Sequence, residues 1–147
     1  MALAPTALWT YLEDIARHVE WMADARSIEF ETEQRRGVGT RFVCDTRVGP
    51  LRIDDTLTVT EWDPPHTMGI RHDGAVSGTG VFRLAPAAGR PGHTELTWTE
   101  ELRLPWWLGA GVGGRAAAPV LRRIWAGNLQ RLKRRAEAEL SSPLPPQ

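Results

Sequence analysis

The stretch "VTEWDPPHTMGIRHDGAVSGTGVFRLA", residues 59–85, holds three apolar-rich runs parted by "DPPH" and "GAVS". Alternation at period two marks half-buried strands, and Asp, Pro and Gly between the runs supply turn chemistry. Links this short cannot carry a parallel crossover, so neighbouring runs pair antiparallel. The pattern extends both ways: "SIEFETE" (27–33), "TRFVCDTRV" (40–48), "LRIDDTLTVTEW" (51–62), "TMGIRHD" (67–73), "GTGVFRLA" (78–85) and "TELTWTEELRL" (94–104) predict a meander of six strands.

Tight turns fix the registers. Val48 opposite Leu51 sets Phe42 against Leu57, Cys44 against Asp55 and Thr46 against Ile53. The next turns set Val59 against Ile70, Leu57 against His72, Ile70 against Gly80, His72 against Gly78, Phe82 against Trp98 and Gly80 against Glu100. A slip of one residue would reverse a face, yet the apolar sets agree through four strand pairs. The expected inner face is Phe42, Leu51, Ile53, Leu57, Val59, Met68, Ile70, Phe82, Leu84, Leu96, Trp98 and Leu102, interrupted by Cys44, Asp55, His72 and Glu100. Gly78 and Gly80 beside the last two remove side-chain volume, as in a sheet that makes room for a ligand or a close helix.

Helices flank the strands. Thr6 is a candidate N-cap for a helix pair over 6–22, with Leu8, Leu12 and Ile15 near one face and Trp9 and Ala16 widening it. At the other end "AAAPVLRRIWAGNLQRLKRRAEAEL" places Leu121, Trp125, Asn128, Leu132, Ala136 and Leu140 on one stripe of a long helix, arginines opposite. A chain of 147 residues suits one domain, 1–140, with the Pro-rich "SSPLPPQ" (141–147) as a disordered tail.

Eighteen basic residues balance eighteen acidic ones, which removes any bulk electrostatic case for nucleic acid. Nowhere do eighteen apolar residues run together, so no integral membrane segment is expected. One cysteine, Cys44, permits no internal disulfide, and a reducing, cytoplasmic setting fits. The start lacks a basic leader and an apolar stretch of signal length.

A helix pair, an antiparallel meander and a long closing helix form an α+β helix-grip arrangement. The sequence resembles the START-like (SRPBCC) superfamily, and within it the polyketide cyclase/dehydrase-like proteins of bacteria. The likeness rests on "ALWTYLEDIARHVEW" (7–21), "GVGTRF" (37–42), "VTEWDPPHTM" (59–68), "TELTWTEEL" (94–102) and "NLQRLKRRAE" (128–137). It implies a curved sheet gripping the C-terminal helix around a cavity for a hydrophobic small molecule. Such proteins begin with a full strand that closes the sheet; here only "MALA" precedes Pro5. The first strand is therefore expected to be missing or truncated: either the true start lies upstream of Met1, or the sheet has a seam between the 27–33 and 94–104 strands; a monomer or homodimer is expected.

Gly109, Gly111 and Gly114 in "PWWLGAGVGGR" (105–115) match the spacing G-x-G-x-x-G. A dinucleotide site also needs a βαβ unit and an acidic residue about twenty positions on, where this chain reads "NLQRLKRR"; no cofactor is expected. Trp106 and Trp107 are either a gate near the cavity mouth or a connector capping the core. The expected cavity residues are Phe42, Leu57, Met68, Ile70, Phe82, Trp98, Leu102, Trp106, Trp107, Trp125 and Asn128.

Asp55, His72 and Glu100 are the candidate catalytic group. Inside an apolar cup they could serve as general acid and base, or as ordinary hydrogen-bonding wall residues. Asp14, His18 and Glu20 offer metal-ligand types without a recognised spacing, and no metal is expected. Six arginines and one lysine between Arg115 and Arg135, with no acid, suit either a solvated face or an acidic partner. Three readings follow: a hydrophobic-ligand binder, a cyclase or dehydratase, or an interaction module using the basic helix.

Overall fold

Pro5 starts the first helix, α1 (Pro5–Leu12), because its fixed φ is preorganised for the first helical position and its missing N–H is not needed there. Ala4 is the N-cap and makes no side-chain cap hydrogen bond, so the expected cap at Thr6 falls inside the helix. The partner helix expected after it is a 3₁₀ segment, Ile15–Glu20. The computed structural model describes residues 1–103 and 112–140, the latter with side chains from 119 onward.

Six strands follow: β1 (Ala25–Phe30), β2 (Arg41–Val48), β3 (Leu51–Asp63), β4 (Thr67–Asp73), β5 (Ser77–Pro86) and β6 (Thr94–Arg103). They lie in one antiparallel sheet in sequence order, with β1 and β6 at its open edges. A long helix, α2 (Val112–Leu140), packs against the inner face and includes Gly114 of the glycine-rich stretch. Every register expected across the four hairpins from β2 to β6 is present, Cys44 opposite Asp55 and Gly80 opposite Glu100 among them.

Two departures are local. β1 ends at Phe30 rather than running to 33, and its pairing with β2 shifts between Ala25 and Ser27. β3 carries a bulge between Val59 and Glu61, after which Trp62 pairs with Met68. An extra residue in one strand reverses the faces beyond it, so Trp62 turns inward. There it meets the Trp9 ring edge to face at 5.3 Å.

The packed core occupies one end of the inner face. Trp21, Leu8, Leu12 and Leu132 are fully buried among Met68, Phe82 and Leu84. Ile15, Phe42, Leu57 and Val59 form a second cluster. Each such side chain contributes roughly 1.5–3 kcal/mol through burial. His18, expected only as a metal-ligand type, is in this core with its imidazole Nε2 2.8 Å from the Leu12 carbonyl oxygen. Burial drives its pKa down to about 4, so it is neutral.

The N-terminal stub joins the β6 end: Thr94 N donates to the Met1 carbonyl at 2.9 Å and Thr94 Oγ1 to that of Leu3 at 2.6 Å. These bonds tie Met1–Leu3 to the first residue of β6 and leave the rest of that edge unpaired by them. Asn128, fully buried on α2, holds the helix to the segment before β1. Its Oδ1 accepts from Ala23 N at 3.0 Å and its Nδ2 donates to Asp24 Oδ1 at 2.6 Å. Asn128→Ala should lower unfolding stability by about 2 kcal/mol, since both partners lose their mate; urea denaturation measures it.

Candidate functional site

Beyond the packed end, the sheet and α2 enclose a cavity of about 370 Å³. Its apolar wall includes Leu51, Ile53, Leu57, Ile70, Trp98 and Leu102 from the sheet and Leu121 and Trp125 from α2. Alternation puts all six sheet residues on one face, and the chain of registers aligns them.

Among these apolar side chains sit Asp55, His72 and Glu100. Asp55 lies two residues from Leu57, the register partner of His72, which makes the two polar residues diagonal neighbours. The imidazole Nδ1 is hydrogen-bonded to Asp55 Oδ2. On the other side Nε2 lies 3.4 Å from Glu100 Oε2, a charge contact rather than a hydrogen bond. Glu100 is held from its own strand: Trp98, two residues away and on the same face, donates through Nε1 to Oε1 at 2.6 Å.

Glycines make this cluster possible. A Cβ on Gly80 would stand 2.5 Å from Glu100 Oε1, and one on Gly74 at the same distance from Asp55 Oδ1. The space expected to admit a ligand or helix at Gly80 is thus filled by the Glu100 carboxylate. Gly78, at φ +145°, lets β5 approach the backbone of β6, where a Cβ would run into the Glu101 carbonyl.

Burial disfavours charge on the His72 ring, but the Asp55 and Glu100 carboxylates outweigh that penalty and push its pKa up to about 9. The ring is an imidazolium at neutral pH: its Nδ1 N–H is hydrogen-bonded to Asp55, and its buried Nε2 N–H lies near Glu100 without a hydrogen-bond partner. Asp55 and Glu100 have side chains only 8% and 4% exposed, and Asp55 Oδ1 and Glu100 Oε2 have no hydrogen-bond partner. The cluster can accept a hydrogen bond from a ligand or move a proton between a carboxylate and the imidazole.

Of the expected cavity residues, Leu57, Ile70, Trp98, Leu102 and Trp125 line the cavity. Phe42, Met68 and Phe82 do not: they interdigitate in the two core clusters, because the inner face is packed solid at the end nearer α1. Asn128 does not either, being spent on Ala23 and Asp24. Trp106 and Trp107 lie outside the described residues, as does the tail 141–147. Asp24 and Val48 line the cavity without having been singled out, since Asp24 precedes β1 and Val48 is the last residue of β2, where alternation gives little signal.

Cys44 is a buried cavity-wall residue whose thiol pKa is raised to about 11 by burial, which makes it a poor nucleophile. Leu140, expected at the end of the buried helical stripe, is 38% exposed because α2 has passed the core there. The basic face of α2 contributes Arg131, Arg134 and Arg135 to a surface groove shared with Arg26 and Glu20. No described helix is long and apolar enough to cross a membrane.

Solved structures share this architecture. A Deinococcus radiodurans protein superposes with a TM-score of 0.68 at 19% identity, covering 97% of this chain and 93% of its own. The Zhui aromatase/cyclase from a Streptomyces species gives 0.70 at 18% identity, with 92% and 88% covered. One half of StfQ, a di-domain ARO/CYC from the steffimycin biosynthetic pathway, gives 0.74 at 17% identity, with 96% of this chain and 49% of that one covered. At these identities the likeness shows the fold. An uncharacterised protein of Mycobacterium tuberculosis is 26% identical over 72 residues, so the match spans half the length of that curated relative and 49% of this chain. Residues 1–137 match the family described as polyketide cyclase / dehydrase and lipid transport, and the chain belongs to that family.

Proposed function

We propose that the protein binds a hydrophobic, partly aromatic small molecule of polyketide-like or lipid-like character in the cavity between sheet and C-terminal helix. The observation that carries this reading is an apolar cavity of about 370 Å³ whose polar groups converge in one place, the usual form of a small-ligand site. Family membership and the aromatase/cyclase neighbours support the same ligand class.

Titration with 2-methoxynaphthalene, followed by calorimetry, should give saturable binding on the order of micromolar. Ile53→Trp, which fills the cavity from its wall, should abolish it while the circular dichroism of the sheet persists. Failure of this probe and of larger neutral aromatics to saturate would overturn the reading.

The Asp55–His72–Glu100 contacts favour a second reading, a cyclase or dehydratase of polyketide-like carbonyl compounds. Glu100 or Asp55 would take the proton beside a ketone while the His72 imidazolium gives one to the forming enolate oxygen, leaving an enol. Glu100→Gln then abolishes turnover, whereas a binder has no turnover to lose.

A further inference from the structure

The charges around the cavity are one-sided. Asp24, Asp55 and Glu100 line it against a single cationic group, His72, and no Lys or Arg is among the described lining residues. His72 does not use up the acceptors facing it. Asp55 Oδ1, Glu100 Oε2 and the His72 Nε2 donor are buried without a hydrogen bond, Glu100 Oε2 lying 3.4 Å from Nε2, although the two carboxylates are tied down through Oδ2 and Oε1. A ligand hydroxyl or amine can donate to buried acceptors of this kind, and a hydroxyl can also accept from the Nε2 N–H.

Resting on the reading of the cavity as a ligand site, we propose that it selects an aromatic ligand carrying a hydroxyl or amine donor, neutral or cationic, and rejects carboxylates. The donor end lies against Asp55 and Glu100, and the rings pack on Trp98, Ile70 and Trp125. A carboxylate placed there would face two carboxylates against the one His72 imidazolium, with no lysine or arginine among the described lining residues to receive it. It would also leave both free oxygens without a donor. An ether or hydrocarbon escapes the repulsion but likewise supplies no donor.

The test compares ligands of one size: 2-naphthol, 2-naphthylmethylamine, 2-methoxynaphthalene and 2-naphthoate, titrated into the full chain at neutral pH. Naphthol and the amine should bind about tenfold or more tighter than the methyl ether, and naphthoate weakest of all. In Glu100→Gln the advantage of the amine over the ether should shrink about tenfold. Naphthoate equal to or tighter than naphthol overturns the proposal. So does an ether that matches naphthol, although binding of the ether by itself upholds the cavity as a ligand site. If none of the four binds, the donor preference and the cavity reading fall together. The ligand series on the unaltered chain decides the matter even if the variant does not fold.

Discussion

Unfolding free energy measured across pH should peak near pH 6.5 and fall on both sides by about 3 kcal/mol, because two buried histidines titrate in opposite directions. His72 is held at about 9 by its carboxylate partners, against 6.5 in the unfolded chain. A raised pKa means that the folded state binds the proton more tightly, so this contribution is complete below 6.5 and is lost as pH rises through 9. His18 is pushed down to about 4 by burial. Its neutral form is the one the core accepts, so its contribution is complete above 6.5 and is lost as pH falls through 4. The two values lie about equally far on either side of 6.5, hence the similar depth of the two limbs. Urea denaturation at intervals of half a pH unit tests the profile, and imidazole NMR signals assign it. His72→Gln should flatten the alkaline limb alone. Both rings titrating near 6.5 would remove the basis of the prediction.

The opposite behaviour of these residues was only partly legible. Alternation and turn chemistry carried the registers from β2 to β6, and with them the meeting of Asp55, His72 and Glu100, because a hairpin with a tight turn leaves one pairing that keeps the apolar residues together. His18 had no such anchor. It stands where the expected second helix tightens into a 3₁₀ segment, and only the three-dimensional fold puts its ring between Trp21 and Phe82. The bulge at the end of β3 is silent for a related reason: an inserted residue breaks the alternation without changing the composition, so Trp62 reads as outward. Where the inner face is packed and where it is hollow also escaped the sequence. Phe82 and Trp98 are register partners, yet Phe82 is sealed in the core while Trp98 borders the cavity, a difference set by the course of α2 over the sheet.

Two glycines two residues apart should separate stability from site chemistry. At Gly78 an added Cβ would strike the carbonyl oxygen of Glu101, a backbone atom fixed by the β5–β6 ladder, and φ there is +145°. Neither conflict can be relieved without parting the strands, so Gly78→Ala should cost about 3 kcal/mol or more. At Gly80 φ is not in the positive region and the obstacle is the Glu100 carboxylate, the far end of a side chain that can move. Gly80→Ala should therefore cost only about 1 kcal/mol, chiefly through the strained Trp98–Glu100 hydrogen bond. Its larger effect is on chemistry. A displaced Glu100 no longer faces Nε2 of His72, so the imidazole pKa should drop from about 9 toward the ordinary 6.5, and the alkaline stability limb should retreat with it. Melting curves and the His72 NMR titration, run on both variants, distinguish the two roles. Equal destabilisation by the two substitutions, with the His72 titration unmoved in Gly80→Ala, would mean that both glycines serve strand approach alone and that Glu100 owes its position to Trp98.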